Sequence, residues 1–514
     1  MTRTFDRCHH LLIIVLTAVL GWSAGVFTPV FAHEHAQSVA PVTAGLGATH
    51  FPNSGAPRAQ PDFLSGLLLL HSFEYQAARS AFQAAERSDP SFAMAYWGEA
   101  LTYNQTLWAE QDLDAARAAL AKLAATPAQR AAKAGTARER GYLASIEQLY
   151  GNGDKTQRDA KFSAALGALV RQYPNDLDAR AFYALSILGL TNGVRNVPNY
   201  MRAAAEAEEV YEKDRLHPGA LHYLIHAYDD PIHAPLGLRA ARLYGKVAPA
   251  ASHAQHMPSH IFFALGMWDD AIAANLASLN IARAQNDDGY HSLVWLTYAY
   301  LQEGRRPEAA QLIQSVAHDV EVRPTKDNRI RLAHVRAIWL VETRGAGGSD
   351  ARSSVDSVGI ASIGYFNAYD FARGITAAAD TGEARAALAR LQARTEAAGT
   401  KATAVAVDWH DKVSAAELAQ GAIMATALKG AIQYYEGDRT GGIGRIREAI
   451  LAADHEEFEY GPPWSVKPLD ELLGELLLAD GRPQEAAAAF AKTLSVYPNR
   501  RLAREGLAAS QVTK

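Results

Sequence analysis

The chain has 514 residues, 49% of them hydrophobic and 20% charged, which is enough to bury a sizeable core. With 50 basic and 55 acidic residues the formal charge is -5, and the strongly basic face of a nucleic-acid binder is excluded. Cys8 is the single cysteine, so neither a disulfide framework nor a thiolate metal site can be built.

The first 32 residues read as a signal peptide. Arg3 and Arg7 make a positive n-region, Leu11 to Leu20 is the apolar stretch, and Val30-Phe31-Ala32 supplies small-residue cleavage chemistry. The apolar run is too short to span a bilayer comfortably, and no later segment is long and apolar enough. The expectation is a periplasmic or secreted product with no membrane span after cleavage. Cleavage after Ala32 leaves His33-Glu34-His35 at the new terminus, an amine and two imidazoles of the kind that suits Cu(II) or Ni(II). Residues 33–60, rich in Ala, Pro, Gly and Ser, read as a flexible linker.

From residue 61 onward the pattern is helical. Alanine-rich segments such as ARAALAKLAA and EAAAAFAKTL carry apolar residues three and four apart, and β-branched alternation is nearly absent. The helices repeat. In the last copy Leu473, Gly474, Leu477, Ala486, Phe490 and Pro498 stand at positions 7, 8, 11, 20, 24 and 32 of a repeating unit. Gly66, Leu69, Ala78, Phe82, Ala85 and Pro90 place the same residue types at 8, 11, 20, 24, 27 and 32. Trp97 and Gly98 start a further copy.

This pattern resembles the tetratricopeptide-repeat (TPR) family, whose unit of about 34 residues is a pair of antiparallel helices. The resemblance runs from about residue 60 to 510 and is weakest near 124–141, 185–216 and 320–460. It implies an all-α fold, a solenoid of helical hairpins wound as a right-handed superhelix, with insertions. Residues 61–320 would form an N-terminal array carrying a histidine-rich groove, and residues 321–514 degenerate repeats ending in a well-formed one. The family's concave surface is lined by positions 2, 5, 9, 12 and 13 of each first helix, where a peptide or protein partner would lie.

The histidines fall on that register. His222-Tyr-Leu-Ile-His226 and His256-Met-Pro-Ser-His260 are pairs four residues apart, and 34 residues separate each member from its counterpart. Both pairs occupy positions 5 and 9, with His253 at 2 and Asp229 at 12. Imidazoles so placed suit Zn, Cu or Fe, which makes His222, His226, His256, His260, His253 and Asp229 the candidate metal ligands. Pro258 interrupts the second pair; a helix starting there would leave His253 and His256 on a loop. The HExxH motif of metalloproteases is absent, because Tyr223 and Met257 follow the first histidines. Asp229 is then the nearest candidate base. Glu99, Tyr103 and His291 are candidates for substrate contacts or ligand support, and His71 stands at position 13 of the first repeat.

The combination HPGAxHYxIH with HMPSHI also resembles a group of exported bacterial tetratricopeptide-repeat proteins, which supports reading the histidines as a unit. Two functions follow. One is an exported metalloprotein with a divalent transition metal on its inner wall, acting as hydrolase or oxidase. The other is a non-catalytic scaffold whose groove holds a peptide or protein.

Overall fold

The computed structural model describes residues 43–108, 110–191, 195–346, 348–400, 409–456 and 461–512. The expected signal peptide, with Cys8, and residues His33 to His35 lie outside them. The described chain is an all-α array of helical hairpins, and none of its helices is long and apolar enough to cross a membrane. One departure is a two-residue antiparallel pairing, Asn104 with Gln111 and Gln105 with Glu110, between two helices.

Local chemistry starts and stops the helices as expected. Thr126, Thr136, Thr325 and Ser414 cap helix N-termini with reciprocal side-chain bonds from Gln129, Glu139, Asn328 and Glu417. The repeat residues set the spacing between helices. Phe82, on the helix Tyr75–Ser88, fills the space that a Cβ on Gly66 or Gly98 would need. Phe490 occupies the same place between Gly474 and Gly506. Both phenylalanines are fully buried, so each ring joins its own hairpin to the next and glycine is required by close approach. The weakly patterned regions are helical too: Pro127–Lys133 and Val197–Lys213 lie in the two insertions. Between 320 and 460 the chain forms Lys326–Glu342, Gly364–Ile375, Thr381–Gly399, Ala415–Tyr435 and Arg439–Ala453.

Residues 43–60 are not a flexible linker. Leu46 and Phe51 are buried, and Phe51 packs on Phe63, Trp97 and Tyr142. Thr49 Oγ1 donates to Asp178 Oδ2 at 2.8 Å, and Ala250 N–H to the Gly45 carbonyl at 2.8 Å. Composition suggested a linker because Gly, Pro and Ser dominate; the few large apolar residues are what hold the segment down.

Two non-local contacts matter for the site. The first helix, Gln60–His71, packs against the helix Pro218–Ala227 as well as against its own partner. The C-terminal repeat returns to the middle of the chain. Trp268 Nε1 donates to the Asn499 carbonyl at 3.1 Å, and Asn499 Nδ2 to that of Gly266 at 3.1 Å.

Candidate metal centre

Two consecutive hairpins carry the histidines. Pro218 opens the helix Pro218–Ala227 at its first turn, where the missing N–H costs nothing, and His222 and His226 follow on one face. In the next hairpin Ser252–His256 and Pro258–Ala264 are helical, and Met257 between them keeps helical dihedrals of -53° and -39°. His253 and His256 are therefore on a helix, contrary to the loop expected from Pro258. The His256–His260 pair survives the proline.

Among the described residues three groups of histidine and carboxylate lie close enough to share an ion: His222, His226 and His253; His256, His260 and His291; His71, Asp178 and His217. His222, His226, His256 and His260 are each no more than 4% exposed, His253 is partly exposed and His291 exposed. The register placed these side chains on an open concave wall. Four of them, His222, His226, His256 and His260, are instead enclosed, because the first hairpin brings Phe73 to 4.2 Å from the His222 ring and Trp295 stands 4.4 Å from that of His260 (centroid distances). Phe73 holds a left-handed φ of 57° at the hairpin turn.

Hydrogen bonds at the far nitrogens decide what each imidazole offers. His222 Nδ1 meets the His71 carbonyl at 2.6 Å, and a carbonyl can only accept. His256 Nδ1 meets Asn275 Oδ1 at 2.7 Å; Asn275 Nδ2 is committed to the Ala271 carbonyl, so its Oδ1 is the acceptor. His260 Nδ1 donates to Asp229 Oδ2 at 2.5 Å. All three rings thus carry their proton on Nδ1 and present a lone pair at Nε2. The lone pairs of His256 and His260 face each other, and that of His222 faces the Nε2 atoms of His226 and His253. His256 Nε2 and His260 Nε2 are 3.0 Å apart, while His222 Nε2 lies 3.1 Å from His226 Nε2 and 3.2 Å from His253 Nε2. Burial pushes His222, His226, His253 and His256 well below the ordinary histidine range, and neighbouring imidazoles push the same way.

The third group has the opposite polarity. His71 Nε2 lies 2.9 Å from Asp178 Oδ1 and its Nδ1 3.0 Å from the Tyr223 hydroxyl. His217 Nδ1 accepts from Ala220 N–H, leaving an N–H at Nε2, 3.5 Å from the same carboxylate oxygen. Burial by itself raises the Asp178 carboxyl, but hydrogen bonds from His217 and His71 outweigh it and hold the group ionised. Donors surround an anion here, so the carboxylate has its counter-groups without an ion.

Asp229 belongs to neither histidine trio; it accepts from the far nitrogen of His260. His253 and His291 complete the two trios. Glu99 and Tyr103 are elsewhere engaged: Glu99 with Gln83, Lys122 and Glu86, Tyr103 beneath the Arg79 guanidinium at 3.9 Å. Their groove positions implied a site contact, but side chains of the preceding repeat and Lys122 of their own take them. Burial and a shared hydrogen bond with Glu99 push Glu86 up to about 8. A carboxyl raised from 4.5 contributes stability that is full below about pH 4.5 and is lost as pH rises through about 8. Glu86→Gln is expected to flatten this loss, melting several degrees above the parent at about pH 9 and close to it only at about pH 4.5. Parallel scanning calorimetry traces against pH would refute the shared proton.

No family model matches the chain, and no curated protein matches it. Among solved structures it is similar to the Cut9–Hcn1 hetero-tetramer of the APC/C, at 11% identity over 90% of this chain and 78% of that one, TM-score 0.34. It is similar to yeast Tom70 at 9% identity over 88% of each chain, TM-score 0.32. The P58(IPK) TPR domain matches at 12% identity over 88% of this chain and 98% of that one, TM-score 0.21. The repeat architecture rests on this chain's own hairpin order and packing.

Proposed function

We propose that this chain is an exported helical-repeat metalloprotein of tetratricopeptide type, with a histidine-built transition-metal centre enclosed between consecutive hairpins. The observation that carries the reading is the facing pair His256 Nε2 and His260 Nε2, 3.0 Å apart, both lone pairs by virtue of Asn275 and Asp229. Two buried acceptors facing each other repel, and a cation between them turns that repulsion into ligation. Three protein nitrogens per ion would leave a coordination position open for a small molecule. A bound Cu or Fe supplies redox or oxygen chemistry there, and Zn an activated water.

Hydrolysis calls for a base free to take a proton from water. Asp229 is the nearest candidate: its Oδ2 is committed to His260, while its buried Oδ1 has no hydrogen-bond partner among the described residues. The imidazole donor set itself suits Cu, Fe and Zn. Enclosure of the histidines disfavours the alternative in which they hydrogen-bond a peptide, although outer faces of the scaffold remain available to a partner.

Metal content by plasma mass spectrometry tests the reading, on chain purified from an exported fraction without a nickel column. The parent is expected to carry metal and a His226→Ala/His260→Ala chain to carry none. A parent that neither carries Zn, Cu or Fe nor takes them up sinks the proposal.

A further inference from the structure

We infer that the six imidazoles form one dinuclear copper centre, each trio holding one ion; this rests on the metalloprotein reading above. The nitrogens are sorted into two sets, not spread around one point. Metal–imidazole bonds of about 2.0–2.1 Å in a tetrahedral site put donor atoms about 3.3 Å apart. Three of the separations within the trios, 3.0 to 3.2 Å, approach that edge, and all ligand atoms of a trio lie within 4.8 Å of one another. The trios are also neighbours. The rings of His226 and His260 are 5.7 Å apart and those of His253 and His256 6.2 Å. Each trio has its own aromatic wall: Phe73 lies beside His222, His226 and His253, and Trp295 beside His256, His260 and His291. The 34-residue repeat explains the doubling, since equivalent positions of consecutive hairpins supply equivalent ligands.

Charge selects the metal. All six donors are neutral nitrogens, and Asp229 is the acid in hydrogen-bond contact with them. Arg195, which donates to the His226 carbonyl at 3.3 Å, is paired with Asp230, and Glu74 accepts from the His253 backbone N–H at 3.0 Å. Two divalent ions would place four positive charges beside these rings against the two carboxylates Asp229 and Glu74, at a large desolvation cost. Among the metals that imidazole suits, copper is the one with a stable monovalent state, and a Cu(I) pair halves that charge.

The test is copper titration of the full chain. Anaerobic Cu(I), supplied as its acetonitrile complex, is followed by desalting and mass spectrometry. Two coppers per chain are expected, falling to one in His222→Ala/His226→Ala and one in His256→Ala/His260→Ala. Oxidation by ferricyanide then moves one electron from each Cu(I) to one ferricyanide, which becomes ferrocyanide. In the parent the two Cu(II) spins are expected to couple, so electron paramagnetic resonance detects well under half of the copper present. Each one-trio variant is expected to show nearly all of its copper. The parent measurement stands alone should a variant fail to fold.

Two coppers with full spin intensity would overturn the coupled centre, and one copper would overturn the second site. Tight Zn or Fe binding with no copper uptake would overturn the copper assignment while leaving the metalloprotein reading intact. Failure to bind any of the three would remove both.

Discussion

Asp229→Ala is expected to weaken metal binding about 10–100-fold while leaving helix content unchanged. Asp229 is buried and its Oδ2 takes the Nδ1–H of His260 at 2.5 Å. That bond fixes which nitrogen is protonated and which way the ring faces. Without it the His260 ring is free to turn or to move its proton to Nε2, and the lone pair aimed at His256 Nε2 is lost. Asp229→Asn keeps an acceptor of similar size and is expected to recover part of the affinity. Competition against a chromophoric chelator reads both values. Unchanged affinity in the alanine variant would show that His260 is not a ligand, or that its tautomer is set by something else.

Arg500→Met is expected to cost about 3–5 kcal/mol of stability, the usual consequence of leaving buried carboxylates without their cation. Arg500 is fully buried, with Nε 2.7 Å from Glu471 Oε2 and Nη1 2.8 Å from Glu342 Oε1. Its Nη1 also donates to the Tyr298 hydroxyl at 2.6 Å. Burial by itself raises Glu471, but Arg500 and Lys467 outweigh it and bring the carboxyl down to about 2. Removing Arg500 leaves Glu471 with Lys467 and Glu342 with Arg501 at 3.5 Å. Arg500→Met/Glu342→Gln is expected to regain part of the loss, since it also removes a stranded charge. Chemical denaturation gives the comparison, and an Arg500→Met midpoint equal to the parent would refute the role. Because the helices Lys326–Glu342 and Leu469–Ala479 both meet this arginine, the variant is also expected to loosen the C-terminal repeat from the middle of the chain.

Much of the candidate ligand set was legible from spacing. His222, His226, His256 and His260 could be read as equivalent because a helical repeat preserves position, and His253 fell on the same face, whereas His291, 38 residues after His253, was expected only as a substrate or supporting contact. Phe82 and Phe490 were legible as repeat residues, since the contact each makes lies within one hairpin and its neighbour. Such features depend on local periodicity, which a chain displays before it folds.

Tertiary structure decided the rest. His71 reaches His222 across 151 residues and Asp178 across 107, and neither separation is a multiple of the repeat. Phe73 becomes a wall of the first trio only because the first hairpin packs on the helix of His222 and His226. Asp229 changes from candidate ligand or base to the support of His260, a distinction of side-chain direction that sequence position does not carry. Periodicity specifies which residues share a helix face. Which distant face closes over them depends on long-range packing, and in this chain that packing turns an expected open groove into an enclosed centre.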